Sequence, residues 1–331
     1  MSRNLVLAGD IGGTKTSLAL FSVNGDKLRI EAERQFPSKQ YSGLIPILEE
    51  FGVHNKMIDA ACFGVAGPIV DGRVKTTNLP WIIDSQVLRQ ALKIDTVYLL
   101  NDLEAAAYGV FTLDNEEFYT LNEGTMHSTG NKALIAAGTG LGQAILYDDG
   151  RHFRALPSEG GHADFAPRDE LEIELLRHLL ARFGHVSYER VLSGPGLFNI
   201  YRFIKEGRGV AEPPWLAERF AAGDDPAAVI STVALAKEAE ICCTALDLFV
   251  SIYGAEAGNM ALRFKSVRGL YVGGGIAPKI LQKLKDGTFM RSFLDKGRYT
   301  ELLAAMPVQV VLNPKAGLRG AAYYAAFLCG D

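Results

Sequence analysis

Leu5-Val6-Leu7-Ala8-Gly9-Asp10-Ile11-Gly12-Gly13-Thr14 is the stretch from which the rest of the chain is read. A short apolar run of this kind reads as a buried strand, and the glycines after it as a tight turn. Residues 16–21 are strand-like again, and Asn24-Gly25 suits a hairpin turn. The same four parts recur about 128 positions later: residues 133–136, then Ala137-Gly138-Thr139-Gly140-Leu141-Gly142, then residues 144–147, then Asp149-Gly150. Strand, glycine turn, strand and hairpin turn repeated at that distance imply a duplicated architecture of two similar halves.

Between and beyond the two copies, strands alternate with helices. Residues 60–65 and 97–100 read as strands, and residues 44–51, 103–110 and 170–183 as helices, the last closed by Gly184. Asn101 or Asp102 is a sound cap for the second helix, and Asp225-Pro226 caps another with proline at its first position. A long helical region then runs to about Phe264, with a break expected near Gly254 or Gly258. Residues 270–272 form a strand entering Gly273-Gly274-Gly275. A helix follows Pro278, and residues 318–328 form a last helix after a hinge at Pro314 and Gly317. This alternation means an α/β chain with helix-covered sheets.

Composition narrows the function classes. The chain has 331 residues, 48 % hydrophobic and 22 % charged, which excludes intrinsic disorder. At that length two domains are the default. The 35 glycines bunch in short clusters and prolines number only 13, so this is no low-complexity excess. Net charge is −4 with no basic run, which argues against nucleic acid or an anionic membrane as main partner. No stretch approaches the roughly 18 uninterrupted apolar residues of a membrane helix. The apolar stretch between Arg3 and Asp10 is too short for a signal-peptide core. Cys62, Cys242, Cys243 and Cys329 show no CxxC spacing, and the expected location is the cytoplasm.

Each glycine turn has two readings: a tight turn needing positive φ, or a nest of backbone N–H groups that approaches a phosphate because no Cβ obstructs it. Neither standard nucleotide fingerprint fits, since there is no GxxxxGK[ST] and the first turn leads into a strand instead of a helix. Two matching turns, each with a threonine beside its glycines, favour a polyphosphate gripped from both sides. Asp10, placed inside the first turn, would repel phosphate unless a cation stands between, and Mg²⁺ is usually held that way. Asn101-Asp102, at a strand's carboxyl end, is a helix cap or a catalytic carboxylate, and one residue can be both. Residues 157–165 pack Glu159, His162 and Asp164 around Gly160-Gly161. A structural metal there lacks a second ligand cluster, whereas carboxylates and an imidazole suit ligand hydroxyls such as a sugar's. Glu189 could be a solvated helix charge, and His54, His127, His152, His178 and His185 read as surface or helix residues.

Taken together, residues 9–14, Asn101-Asp102-Leu103-Glu104-Ala105, residues 137–142, 157–167 and 184–196, and residues 273–276 resemble the bacterial ATP-dependent glucokinases. The resemblance runs from residue 5 to the last helix. It implies the actin-like (ribonuclease H-like) ATPase fold: two α/β domains around a central cleft, with residues 1–112 plus 316–331 in the small domain and 113–315 in the large one. Hinges are expected near 110–115 and 314–318. It implies phosphorylation of glucose at the 6-hydroxyl by MgATP, the first step of glycolytic glucose use. The family's sugar ligands fall on Asn101, Asp102, Glu159, His162 and Glu189, with Asp102 the general base and Asn78 where such kinases place a cleft residue. Gly9, Asp10, Ile11, Gly12, Gly13 and Thr14 form its first ATP phosphate loop and Thr139-Gly140 the second. Gly273, Gly274 and Gly275 lie near the adenosine, and Mg²⁺ is held mainly through the phosphates. A homodimer is also what the family suggests. The CxCGxxGCxE zinc motif of the related repressor/ORF/kinase family is missing, so the likeness is to the zinc-free glucokinases. Another hexose as substrate, or a non-catalytic nucleotide switch, stays open on spacing alone.

Overall fold

A computed structural model describes residues 4–329 other than His54, Asn55, Thr77, Met126 and Pro157. The surface reading of His54, and the first residue of the 157–165 motif, lie outside the described residues. The chain divides into two compact units, Met1–Glu117 with Asn313–Asp331, and Phe118–Leu312.

In the first unit, β1 (Leu5–Ile11), β2 (Lys15–Asn24) and β3 (Lys27–Pro37) form an antiparallel meander. The chain continues through α1 (Leu44–Phe51) to β4 (Ala60–Val65) and a small hairpin of β5 (Arg73–Lys75) and β6 (Ile82–Asp84). After α2 (Ser85–Leu92) come β7 (Val97–Asn101) and α3 (Asp102–Gly109). The sheet order is β3-β2-β1-β4-β7, with β4 parallel to both β1 and β7. β4 is buried along its whole length, as a central strand with both faces covered should be. Leu7, Ile47, Phe63 and Trp81 belong to the core of this unit.

The second unit begins with β8 (Phe118–Asn122) and repeats the meander in β9 (Lys132–Ala137), β10 (Leu141–Asp148) and β11 (Phe153–Leu156). Four helices follow, α4 (Glu170–Phe183), α5 (Gly194–Arg202), α6 (Pro214–Ala221) and α7 (Pro226–Leu235), then the long α8 (Glu240–Phe264). The chain ends this unit with β12 (Leu270–Gly273), α9 (Leu281–Leu284), α10 (Thr288–Leu294), α11 (Thr300–Ala304) and β13 (Val308–Val311). Sheet order is β11-β10-β9-β12-β13-β8, the first unit's pattern with one added edge strand. The echo in the sequence is therefore an echo in topology.

The last helix, α12 (Ala316–Tyr323), extended by a wider turn over Tyr324–Leu328, belongs to the first unit and packs on α3, β1 and β4. Small residues set that placement: a Cβ on Gly109 would collide with the Ala316 carbonyl, and one on Gly320 with the Ala105 carbonyl. Glu117 is tied to Asn313 and, at 3.2 Å, to Arg319. That knot keeps Glu117 with the first unit, five residues beyond the boundary at 112 expected from sequence.

α8 departs from the reading. It is one unbroken helix of 25 residues through both Gly254 and Gly258. A Cβ at Gly254 would collide with the Phe289 carbonyl, and one at Gly258 would lie 2.6 Å from that of Phe293. Four residues apart on one face, the two glycines let α10 lie against α8; they are contact points and not breaks. α8 is also long and apolar enough to cross a membrane by length and composition, yet most of its residues are buried, many of them in the core of the second unit. It is a core helix.

Candidate active site

In the first unit the glycine motif divides into strand and turn. Gly9, Asp10 and Ile11 are ladder residues of β1, paired with Leu18, Ser17 and Thr16. Only Gly12, Gly13 and Thr14 make the turn, closed by Gly12 N–H donating to Lys15 O at 2.9 Å. Asp10 therefore stands at the strand's end and not inside the turn, because the hairpin register extends to Ile11 and Thr16. Ile11 is 2 % exposed and Gly9 packs on Phe63, so these two positions offer a ligand backbone at most. Ser38 holds the turn from behind: its hydroxyl donates to Gly12 O at 2.8 Å, and its N–H donates to Thr14 O at 3.0 Å. Asn78 lies against it, with its Cβ 2.6 Å from where a Gly13 Cβ would stand.

At the end of β7, Asn101 and Asp102 start α3. Asn101 Oδ1 accepts the Leu103 N–H at 2.9 Å, and Glu104 Oε2 accepts the Asn101 N–H at 2.9 Å, a reciprocal capping box. Asn101 Nδ2 also donates to Gly67 O at 3.3 Å. Asp102 Oδ1 shares the Leu103 N–H at 3.0 Å. Its charge reaches Asp10, whose carboxyl is pushed up to about 6, first by burial and then by Asp102. Gly317, in the first turn of α12, faces the Asp10 carboxylate, with its would-be Cβ 3.4 Å from Oδ2. The structure thus brings Gly12–Thr14 and Asn78 together, and Asp10 close to Asp102.

In the second unit, the Ala137–Leu141 pair closes the turn Gly138-Thr139-Gly140, with Gly138 N–H donating to Gly140 O at 2.8 Å. Glu189 sits on this turn: its Oε2 accepts the Leu141 N–H at 3.0 Å and lies 2.5 Å from where a Gly140 Cβ would be. Glu189 is thus half-buried and engaged, and not a solvated helix charge. Ser193 fixes the Glu189 backbone by donating to its carbonyl at 2.7 Å, while accepting the Gly196 N–H as cap of α5. Residues 160–162 form a single tight turn laid on β10, where a Cβ on Gly161 would collide with the Leu141 carbonyl. Glu159 and His162 stand exposed from that turn, 4.0 Å apart. Asp164 is diverted to His185 at 2.7 Å, so the acid–histidine cluster read in the motif separates into two pairs. Among the described residues no group of three or more His, Cys, Asp or Glu could hold a metal ion.

Gly273 is a buried strand residue, and Gly274, at φ 82°, passes so close to Ala137 O that a Cβ could not fit. Gly275 is open. With Gly138 and Thr139 it lines a cavity of about 580 Å³ between the starts of α5 and α7, walled by Phe198, Asp225, Ile276 and Lys279 among others. In the sequence, Asp225-Pro226 reads only as a cap. It is one, since Asp225 Oδ1 accepts the Ala227 N–H at 3.0 Å, and it is a cavity wall as well. Nothing in local sequence distinguishes a cap on a cavity from a cap on solvent.

Known proteins are similar to this chain over nearly its whole length. The family profile named Glucokinase matches residues 7–327. The glucokinase of Trichormus variabilis is 42 % identical, over 98 % of this chain and 99 % of its own. Among solved structures, a glucokinase from an Antarctic psychrotroph superposes with a TM-score of 0.85 at 31 % identity, covering 97 % of this chain and 98 % of that one. The ROK-family glucokinase of Streptomyces griseus, at 21 % identity and a TM-score of 0.65 over 97 % of this chain and 99 % of that one, shares the fold. That fold is the actin-like ATPase fold, here with two meander-led sheets. With the profile spanning both glycine turns and a relative of this identity matched end to end, the chain belongs to the glucokinase family.

Proposed function

We propose that the chain transfers the γ-phosphoryl group of ATP to the 6-hydroxyl of glucose, releasing glucose 6-phosphate and ADP. Family membership carries glucose phosphorylation by a sugar kinase. One geometric observation supports the detail: Glu189, from the sugar-type polar set, holds the backbone of the glycine turn that borders the cavity. The Streptomyces griseus structure contains glucose and AMPPNP, the same pair of ligand types.

In this reading adenosine occupies the cavity beside Gly275, shaped by Gly273 and Gly274, and Thr139-Gly140 and Gly13-Thr14 turn N–H groups toward the phosphates, with Gly12 closing the first turn through its bond to Lys15 O. Gly9 and Ile11 set the strand end from which the first turn projects. Asn78, Asn101, Glu159, His162 and Glu189 hold the sugar hydroxyls, carboxylates accepting and the imidazole donating or accepting. The 6-hydroxyl oxygen bonds to the γ-phosphorus, the bond from that phosphorus to the β,γ-bridging oxygen breaks, and the hydroxyl proton passes to an Asp102 carboxylate oxygen. The N-terminus of α3 favours the ionised form of Asp102 that can accept it. Asp10, at the end of β1 with its carboxyl pushed up by burial and by Asp102, is the protein carboxylate that would face Mg²⁺. That ion, held mainly by phosphates and water, would neutralise charge on the transferred group. Cys62, Cys242, Cys243 and Cys329 are all free thiols, which suits a cytoplasmic enzyme, and the resemblance implies a homodimer.

The test is ADP release from ATP across a panel of hexoses, with glucose, mannose, fructose and glucosamine at equal concentration. Strong stimulation by glucose, with glucose 6-phosphate as product, is expected. ADP release that no hexose stimulates would overturn the reading in favour of a nucleotide switch.

A further inference from the structure

Behind the Gly160–His162 turn lies a charged network that the proposed chemistry does not use. Glu256, on α8, is fully buried, a costly place for a carboxylate unless its oxygens are all occupied. They are. Oε1 accepts from Gln143 Nε2 at 2.9 Å and from Arg263 at 3.0 Å. Oε2 accepts from Asn259 Nδ2 at 2.9 Å. The Tyr188 hydroxyl also bonds Glu256, and in turn accepts from Asn259 Nδ2 at 3.1 Å. Burial and Glu256 push the Tyr188 phenol well up, so it stays a donor across the physiological range.

Two members of this network reach the site residues directly. Gln143 is 2 % exposed and lies under the Gly160–His162 turn: with its Nε2 held by Glu256, its Oε1 takes up the space a Gly160 Cβ would need. Tyr188 is the residue before Glu189, and its N–H donates to Ala163 O at 2.9 Å, just after His162. A single carboxylate on α8 therefore backs both segments that carry Glu159, His162 and Glu189. A buried, fully satisfied network of this kind rigidifies what it touches.

We propose that Glu256 is a positioning residue for sugar recognition, acting through Gln143 on the Glu159–His162 turn and through Tyr188 on Glu189. The inference rests on the sugar-ligand reading above, and the experiment separates the two. Steady-state kinetics would be run on Gln143→Leu, Tyr188→Phe and Glu256→Gln. Glu189→Gln would serve as the direct test of a sugar ligand. Glu172→Gln, which breaks the Arg168 pair elsewhere in this unit, is the control for stability alone. The expected result is a rise of about tenfold in KM for glucose in Gln143→Leu and Tyr188→Phe, with KM for ATP within about twofold of the parent and no shift for glucose in Glu172→Gln. Tyr188→Phe removes only a hydroxyl, so the test stands even if Glu256→Gln fails to fold. Glucose KM unchanged in Gln143→Leu and Tyr188→Phe, but raised in Glu189→Gln, would overturn the positioning role. If Glu189→Gln leaves it unchanged as well, the sugar reading falls and the inference with it.

Discussion

Asp102 puts two duties on one side chain. Its Oδ1 shares the Leu103 N–H with the cap residue Asn101, and the same carboxylate is the proposed proton acceptor. Asp102→Asn keeps an oxygen for that N–H and removes the base, so kcat should fall by about 10²–10⁴ while glucose binding persists. Turnover assays beside calorimetric titration with glucose check this, and turnover at the parent level would sink the assignment. Asp10 is the other acid whose behaviour is set by its surroundings. Its carboxyl lies at about 6 in the folded chain against an ordinary 3.8, so the fold binds this proton more tightly than the unfolded chain does. Stability is therefore lost as pH rises from about 4 to 6, and above that the ionised group costs at most about 3 kcal/mol in the ligand-free protein. Asp10→Asn should then be more stable than the parent to urea at pH 7, with the gap closing toward pH 4. An equal gap at both values would refute it. The cap role of Asn101 was legible in sequence because capping is local. The strand position of Asp10 was not, because a glycine-rich run does not show where the ladder of one hairpin ends.

Helix boundaries were the readable part at the scale of elements. α4 spans the residues read from its pattern and is closed by Gly184, and α7 starts at the predicted Asp225-Pro226 cap. The misreading is α8. A glycine inside a helix costs about 1 kcal/mol in propensity, which locally looks like a break. Only the neighbour shows otherwise, because at Gly254 the backbone of α10 takes up the room a side chain would need. Gly254→Ala should then destabilise the protein by about 1–3 kcal/mol despite its better helix propensity. Urea unfolding followed by circular dichroism measures this, and a variant as stable as the parent or more so would show that the close approach is unimportant.

At the scale of the molecule, the duplicated strand–turn–strand pattern becomes two sheets of one topology, and the chain returns in α12 to the unit where it began. That return is held by apolar and backbone contacts to α3, β1 and β4, with Lys315 paired to Glu33 at 2.7 Å and Arg319 to Glu117. Deleting residues 313–331 strips the cover from one face of the first sheet, exposing apolar strand and helix surface. The truncated chain should lose cooperative unfolding of this unit and become protease-sensitive within residues 4–117, as limited proteolysis with mass spectrometry would reveal. Protection equal to the full chain would contradict the role given to α12.

What the sequence by itself determined was much of what is local or repeated: the strands β1, β2, β4, β7, β9, β10 and β12, the two glycine turns, the caps at Asn101-Asp102 and Asp225-Pro226, the α/β class and the duplication. Hydrophobic period and turn chemistry act between near neighbours, so they are written in the order of residues. Only the tertiary structure decided which groups meet across long separations. It seats Glu189 on the turn at Gly140, diverts Asp164 to His185, lifts the Asp10 carboxyl through burial beside Asp102, and backs the Glu159–His162 turn with Glu256. Burial, charge coupling and close approach depend on distance in space, and a one-dimensional pattern does not carry that distance.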